Sequence, residues 1–181
     1  IDGETVRLAG TWLVVGEPGA LSDAVARQVA QAGGAPLRVE EGPAFERLDA
    51  QRLRLRPGNA DDVAQLAREL RTAGTPVAGV LLLWSLIADD AAPQRQRLMR
   101  FHAPVALACG LEVSPATPLR LVVATACAHS VLDEAVTQPA TAWAFGPVLA
   151  LPAEVPGLEM RLLDLAARPE AFDAADAPGV D

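Results

Sequence analysis

The sequence predicts a three-layer α/β fold built on a mostly parallel sheet of about six strands. Two observations carry this. Short continuous apolar runs alternate with longer amphipathic stretches along nearly the whole chain. Strand–helix–strand repetition buries each strand on both faces, which a parallel sheet covered by helices satisfies. The length of 181 residues, with no internal repeat, suits one domain with a real core.

The elements follow in order. Thr11–Gly16 (TWLVVG) is an apolar run ending at glycine, as a buried parallel strand does. Gly16-Glu17-Pro18-Gly19 is turn chemistry, and Ala20–Ala32 then carries Leu21, Val25 and Val29 at helical spacing until Gly33-Gly34 stops it. Leu37–Val39 reads as a second strand, Gly42-Pro43 as a loop, and Leu53–Leu55 as a short third strand before Pro57-Gly58. Asn59 is placed to cap a helix whose first turn holds Asp61 and Asp62, and whose buried face is Val63, Leu66, Ala67 and Leu70. Val77–Trp84 is the clearest central strand. Asp89-Asp90 are expected to cap the longest helix, Pro93 to Leu111, with a kink expected at Pro104. Leu119–Ala124 is another buried strand, Thr125–Ser130 a loop, Pro139–Leu151 a helix and Met160–Leu165 a last strand. The order is that of a Rossmann-like fold. One domain over residues 1–167 is expected, with 168–181 an acidic, Ala/Pro-rich tail or linker.

Composition narrows the partners. Apolar residues make up 51%, but aromatics only 4%, so the core must come from Ala, Val and Leu. A net charge of −8, with no basic run interleaved with aromatics, argues against nucleic acid. The most apolar stretch, Val77–Ile87, is far short of a membrane span. Two cysteines give no disulfide framework, and with no signal peptide a cytoplasmic location is expected. The chain opens at Ile1 without Met, as if cut from a longer polypeptide.

Two blocks go beyond fold class. One is Val77–Leu86 (VAGVLLLWSL), preceded by RPGNADDVAQLARELRTAG; the other runs from Thr117–Ala128 (TPLRLVVATACA) through Pro139–Pro156 (PATAWAFGPVLALPAEVP) to Leu158–Leu165 (LEMRLLDL). Together they resemble the structural subdomain of ketoreductases from modular polyketide synthases, over roughly Gly10 to Ala167. Animal-type fatty acid synthases carry a similar half. The chain departs from that family at Ala144-Phe145-Gly146-Pro147, where Gly-Leu-Gly-Arg is usual, and at Cys127-Ala128-His129, where a Gly-Ala-Gln character is usual. The family's opening and closing strands are also missing, which makes this a truncated version and a pseudo-ketoreductase an equally good parent. The resemblance implies that this segment is non-catalytic and binds no cofactor. It implies a parent bacterial synthase with acyltransferase and NADPH-dependent ketoreductase activities, in which NADPH belongs to a catalytic partner subdomain. The adjacent catalytic domain is then the direct partner, and acyl carrier protein an indirect one.

The residues agree with that expectation. A reductase of the short-chain type needs a Tyr to protonate the substrate oxygen and a Lys to lower that Tyr's pKa; this chain contains neither residue type. In the turn that should cradle pyrophosphate, Gly16 and Gly19 remain. Pro18 has no amide hydrogen to offer, Glu17 adds negative charge, and Leu21 replaces the third glycine. The turn reads as a degenerate, empty cofactor site. His102 with Cys109, and Cys127 with His129, lack the ligand spacing of a metal site. Ser85, Thr125 and Ser130 follow strand ends, but no G-x-S-x-G elbow exists, and His129, Asp133 and Glu134 support a hydrolase only by adjacency. Trp84, Trp143 and Phe101 are the candidate interface anchors, the last on a helix where Leu98, Phe101, Val105 and Leu107 offer surplus apolar surface.

The leading expectation is a scaffold that holds a catalytic neighbour, a ketoreductase or methyltransferase acting on acyl chains carried by acyl carrier protein. The alternative is an independent small enzyme that binds a nucleotide or acyl thioester at Gly16–Ala20 and Thr125–Ser130. A third reading is an interaction module without enzymatic ancestry, which a six-stranded parallel sheet in Rossmann order would rule against.

Overall fold

The computed structural model describes residues 7–87, 91–126 and 139–165. Seven strands form one sheet: β1 (Thr11–Val15), β2 (Ala35–Glu41), β3 (Glu46–Arg47), β4 (Arg52–Leu55), β5 (Val77–Leu82), β6 (Leu119–Ala126) and β7 (Leu158–Leu165). Their order is β3-β4-β2-β1-β5-β6-β7, parallel except for β3, a two-residue strand antiparallel to β4. This is a Rossmann-like sheet with one strand more than the sequence predicts. β3 is too short and too polar to leave a periodic signal.

The helices are the crossovers. α1 (Ala20–Gln31) links β1 to β2, and α2 (Ala60–Thr72) links β4 to β5. α3 (Pro93–Arg97), a π turn over Leu98–His102 and α4 (Ala103–Gly110) form a continuous helical run between β5 and β6. A 3₁₀ segment (Pro139–Ala144) leads into α5 (Phe145–Glu154) ahead of β7. The π turn lies where a kink was expected. Pro104 has no N–H for the Arg100 carbonyl, and its ring crowds that carbonyl. A widened turn, closed by the Ala103 N–H on Leu98 O, relieves both. The cap at Asn59 is as expected, its side chain accepting from the Asp62 N–H at 3.0 Å. Asp62 does more than favour the helix dipole. It is buried, accepts from the Arg56 N–H at 2.9 Å and from both ends of the Arg56 guanidinium at 3.0 and 2.6 Å. That guanidinium holds the Asp62 carboxyl below its usual range. Asp89 and Asp90 lie outside the described residues; the residue at the N-cap of α3 is Ala92.

Alternation along the strands divides the core in two. Leu13, Val15, Val80, Leu82, Leu121 and Val123 point to the face covered by α2, α4 and α5, and meet Val63, Leu66, Leu107 and Leu151 there. Trp12 and Val14 point to the other face, under Val25 and Val29 of α1. Among the described residues α1 is the only helix on that second face. Over β6 and β7 the same face shows Arg120, Glu159, Arg161 and Leu163, the last 52% exposed.

Candidate functional site

A parallel sheet whose crossovers run both ways from β1 opens a crevice beyond the carboxyl end of that strand, where such folds bind ligands. Here its floor is the turn after β1. The Gly16 N–H donates to Val39 O at 3.0 Å and the Leu83 N–H to Val15 O at 2.7 Å, which pins the turn between β2 and β5. No side chain fits at Gly16: a Cβ there would stand 2.7 Å from Ser22 Oγ and 3.1 Å from Leu83 Cβ. Ser22 Oγ in turn donates to Glu17 O at 2.6 Å. Gly19 caps α1 with φ of 154°, and its carbonyl accepts the Asp23 N–H at 3.0 Å. The turn thus keeps its tight geometry.

An ion group reaches the turn from α3 and β2. Arg95 of α3 forks onto Glu41, at the end of β2, with 2.7 and 2.5 Å bonds, and reaches Glu17 in the turn at 3.0 Å. Glu41 foremost, with Glu17 adding to it, raises the Arg95 guanidinium above its ordinary pKa. Two carboxylates and one guanidinium leave this group net negative. Pro18 offers no N–H, so an incoming pyrophosphate meets like charge and a missing donor. The group is a strap tying the turn after β1 to β2 and α3.

Of the other strand-end candidates, Ser85 and Thr125 make hydrogen bonds within the sheet region. Ser85 is fully buried and donates to Ala124 O at 2.5 Å, with Leu82 O at 3.4 Å. Thr125 Oγ1 donates to Asp164 Oδ1 at 2.9 Å, between neighbouring residues of β6 and β7. Cys127, His129, Ser130, Asp133 and Glu134 lie outside the described residues. His102 and Cys109 are both exposed, His102 edge-on to Phe101 with ring centroids 5.2 Å apart. No group of three or more His, Cys, Asp or Glu able to hold a metal occurs among the described residues. A cavity of about 400 Å³ lies between α1 and β2, lined by Asp23, Arg27, Pro36 and Arg38, and no residue of the crevice turn contributes to it.

The interface candidates separate. Trp84 is 2% exposed inside the main core and offers nothing to a partner. Phe101 is 37% and Trp143 42% exposed. Arg97 stacks on Trp143 at 5.7 Å, and Phe101 lies beside Gly146, so the helical run and the start of α5 present one mixed aromatic–cationic patch. On the long helix the surplus apolar surface is smaller than expected, because Leu107 is buried and Leu98 and Val105 are half-buried. Two residues that the sequence reading missed matter most. Glu41 falls some twenty residues beyond the glycine turn, the spacing at which a ribose-binding acid occurs in this fold, and that was the available signal. Arg95 had none.

No family model matches the chain, and no curated protein does. Among solved structures it is similar to the adenylation, ketoreductase and pseudo Asub multidomain structure of a keto acid-selecting NRPS module. There the TM-score is 0.77 at 19% identity, over 91% of this chain and 14% of that one. It is also similar to a short-chain dehydrogenase/reductase from Brucella ovis, with TM-score 0.63, 15% identity, and 86% and 82% of the two chains covered. The Bacillus cereus enoyl-acyl carrier protein reductase, solved with NADP+, gives 0.62 at 13% identity, covering 97% and 78%. The chain thus has the fold of short-chain reductases and spans a small part of the multidomain module.

Proposed function

We propose that this chain is a non-catalytic scaffold domain of a modular acyl-processing synthase, supporting a neighbouring ketoreductase or methyltransferase domain. The observation that carries this reading is the Arg95–Glu41–Glu17 strap across the place where a reductase of this fold holds its dinucleotide. The absence of Tyr and Lys from the chain points the same way. The likeness to a ketoreductase-bearing assembly-line module supports the synthase setting, and the pseudo-ketoreductase remains as good a parent as the structural half of an active enzyme. The exposed patch of Arg97, Phe101 and Trp143 is the surface offered to the neighbour.

Titration of the domain with NADPH, by calorimetry and by cofactor fluorescence with melting read in parallel, should give no saturable signal and no rise in melting temperature. Micromolar binding with a melting shift would overturn the scaffold reading. Arg95→Ala sharpens the test. It should cost only about 1 kcal/mol, since the pairs are half-exposed, and it should still fail to bind NADPH because Pro18 and both acids remain. The docking surface has its own test. Trp143→Glu should leave the melting of the isolated domain within about 0.5 kcal/mol of wild type. In the longer synthase chain the same change should speed proteolytic separation of the neighbouring domain. Unchanged proteolysis would remove Trp143 from that interface.

A further inference from the structure

Strands β2 and β4 are parallel neighbours, yet no helix crosses over between them. Residues 42–51 instead pass through β3, which pairs with the outer side of β4, so the connection stays in the plane of the sheet. On the face shared with α1 there is a cleft of about 400 Å³ between α1 and β2. Its floor is Ala26, Ala30 and Pro36, and Asp23, Arg27 and Arg38 stand around it. We propose that this cleft docks a short acidic segment of a partner protein, its carboxylate held by Arg27 and Arg38 and its small apolar side chains lying on Ala26, Ala30 and Pro36. The cleft is on the opposite face of the sheet from the aromatic–cationic patch, and the proposal does not rest on the scaffold reading.

Charge selects the occupant. β2 and β4 turn Arg38, Arg52 and Arg54 to this face, since Arg38 pairs in register with Val14 of β1 and with Arg52 of β4. Each of the three holds a carboxylate of its own. Arg38 holds Asp23, Arg52 holds Asp49 at 2.7 Å, and Arg54 holds Glu40 at 3.5 Å and Glu46 at 3.8 Å. Arg27 is exposed and has no carboxylate among the described residues. Asp23, one helical turn before it, reaches across the cleft to Arg38 instead. The lining thus sets two guanidiniums against one carboxylate, in a chain whose net charge is −8. That local excess draws an anion, while the charge of the whole chain repels a polyanion. Asp23 also orients Arg38 before a ligand arrives, so less side-chain freedom is lost on docking. Openness selects a peptide over a small molecule. Small-molecule sites bury most of their ligand's surface. This cleft is open to solvent and covers its occupant from one side, which suits a segment of chain lying across it.

The amide NMR spectrum of the isotope-labelled 181-residue chain tests this, titrated with blocked pentapeptides in which alanine alternates with glutamate, glutamine or lysine. The glutamate peptide should shift amides of α1 and β2 saturably, and about 0.5 M NaCl should weaken it about tenfold. The glutamine and lysine peptides should leave those amides in place. Arg27→Glu should keep the wild-type melting temperature and weaken the glutamate peptide about tenfold or more. The same variant should gain binding of the lysine peptide, a reversal that a merely structural role for Arg27 would not produce. No saturable shift with the glutamate peptide would overturn the proposal. So would equal binding of the glutamine peptide, or glutamate-peptide binding indifferent to Arg27→Glu. Self-association of the free chain that Arg27→Glu abolishes would put a second copy in the cleft and overturn the assignment to a partner protein.

Discussion

Replacing Arg100 with methionine is expected to destabilise the fold by about 3 kcal/mol, a fall of about 6–12 °C in melting temperature for a domain of this size. Arg100 is fully buried. Its guanidinium donates to Ser85 O at 3.1 Å, to Ile87 O at 2.8 Å and to Gln96 Oε1 at 2.9 Å, while Gln96 donates onward to Ala91 O at 2.7 Å. The two side chains therefore stitch the connection after β5 onto the helical run. Methionine keeps the packing of the stem but leaves Ser85 O and Ile87 O without these donors, and a buried unpaired carbonyl costs about 1–3 kcal/mol. Lysine is no substitute, because a single ammonium cannot span acceptors that the planar fork reaches together. Urea denaturation of the Met and Lys variants checks this. A Met variant within 1 kcal/mol of wild type would show that the stitch contributes little.

The second large effect lies on the opposite face. Trp12 lies flat over Gly79, where a Cβ would stand 2.4 Å from the indole ring, and its Nε1 donates to Ala9 O at 3.2 Å. Together with Val14 and Val29 it makes up the small core under α1. Trp12→Ala should cost about 3–5 kcal/mol, through lost burial and the cavity left behind. Gly79→Ala should cost about 1–3 kcal/mol by overpacking, since the neighbouring β5 and β1 backbones cannot separate without breaking their ladder. The two changes share one space, so the double variant should be less destabilised than their sum. Equilibrium unfolding of the three variants measures this coupling, and strict additivity would mean that the ring yields freely to the new methyl group.

Much of the fold was legible because it is local. Strands β1, β5 and β6 fall on largely apolar runs, and β2, β4 and β7 on segments where apolar and charged residues are interspersed. The Asn59 cap and the start of α1 at Ala20 follow from residues within one turn of each other. The long helix shows where legibility stops. Its apolar residues Leu98, Phe101, Val105 and Leu107 suggested surplus apolar surface, yet only Phe101 of these is exposed, and the buried face is Met99, Arg100, Ala103, Ala106, Leu107 and Gly110. Segment APVALACG has no polar residue to mark its outside. Its direction is set by small residues that let α4 approach α2, with Gly110 against Val63 and the Ala60 carbonyl.

The candidate site divides in the same way. Pro18, Glu17, Leu21 in place of the third glycine and the absence of Tyr and Lys are matters of residue type, and the sequence alone determines that Pro18 brings no N–H to this turn. It also determines the alternating α/β layout, because periodicity and turn chemistry act over a few residues. Only the tertiary structure decided that Arg95 bridges Glu41 and Glu17, residues 54 and 78 positions away. It alone decided that Arg100 is buried and that Trp84 is core while Trp143 is surface. Such contacts depend on where the crossovers return the chain. A guanidinium written among other arginines on a helix carries no mark of which carboxylate or carbonyl the fold will bring to it.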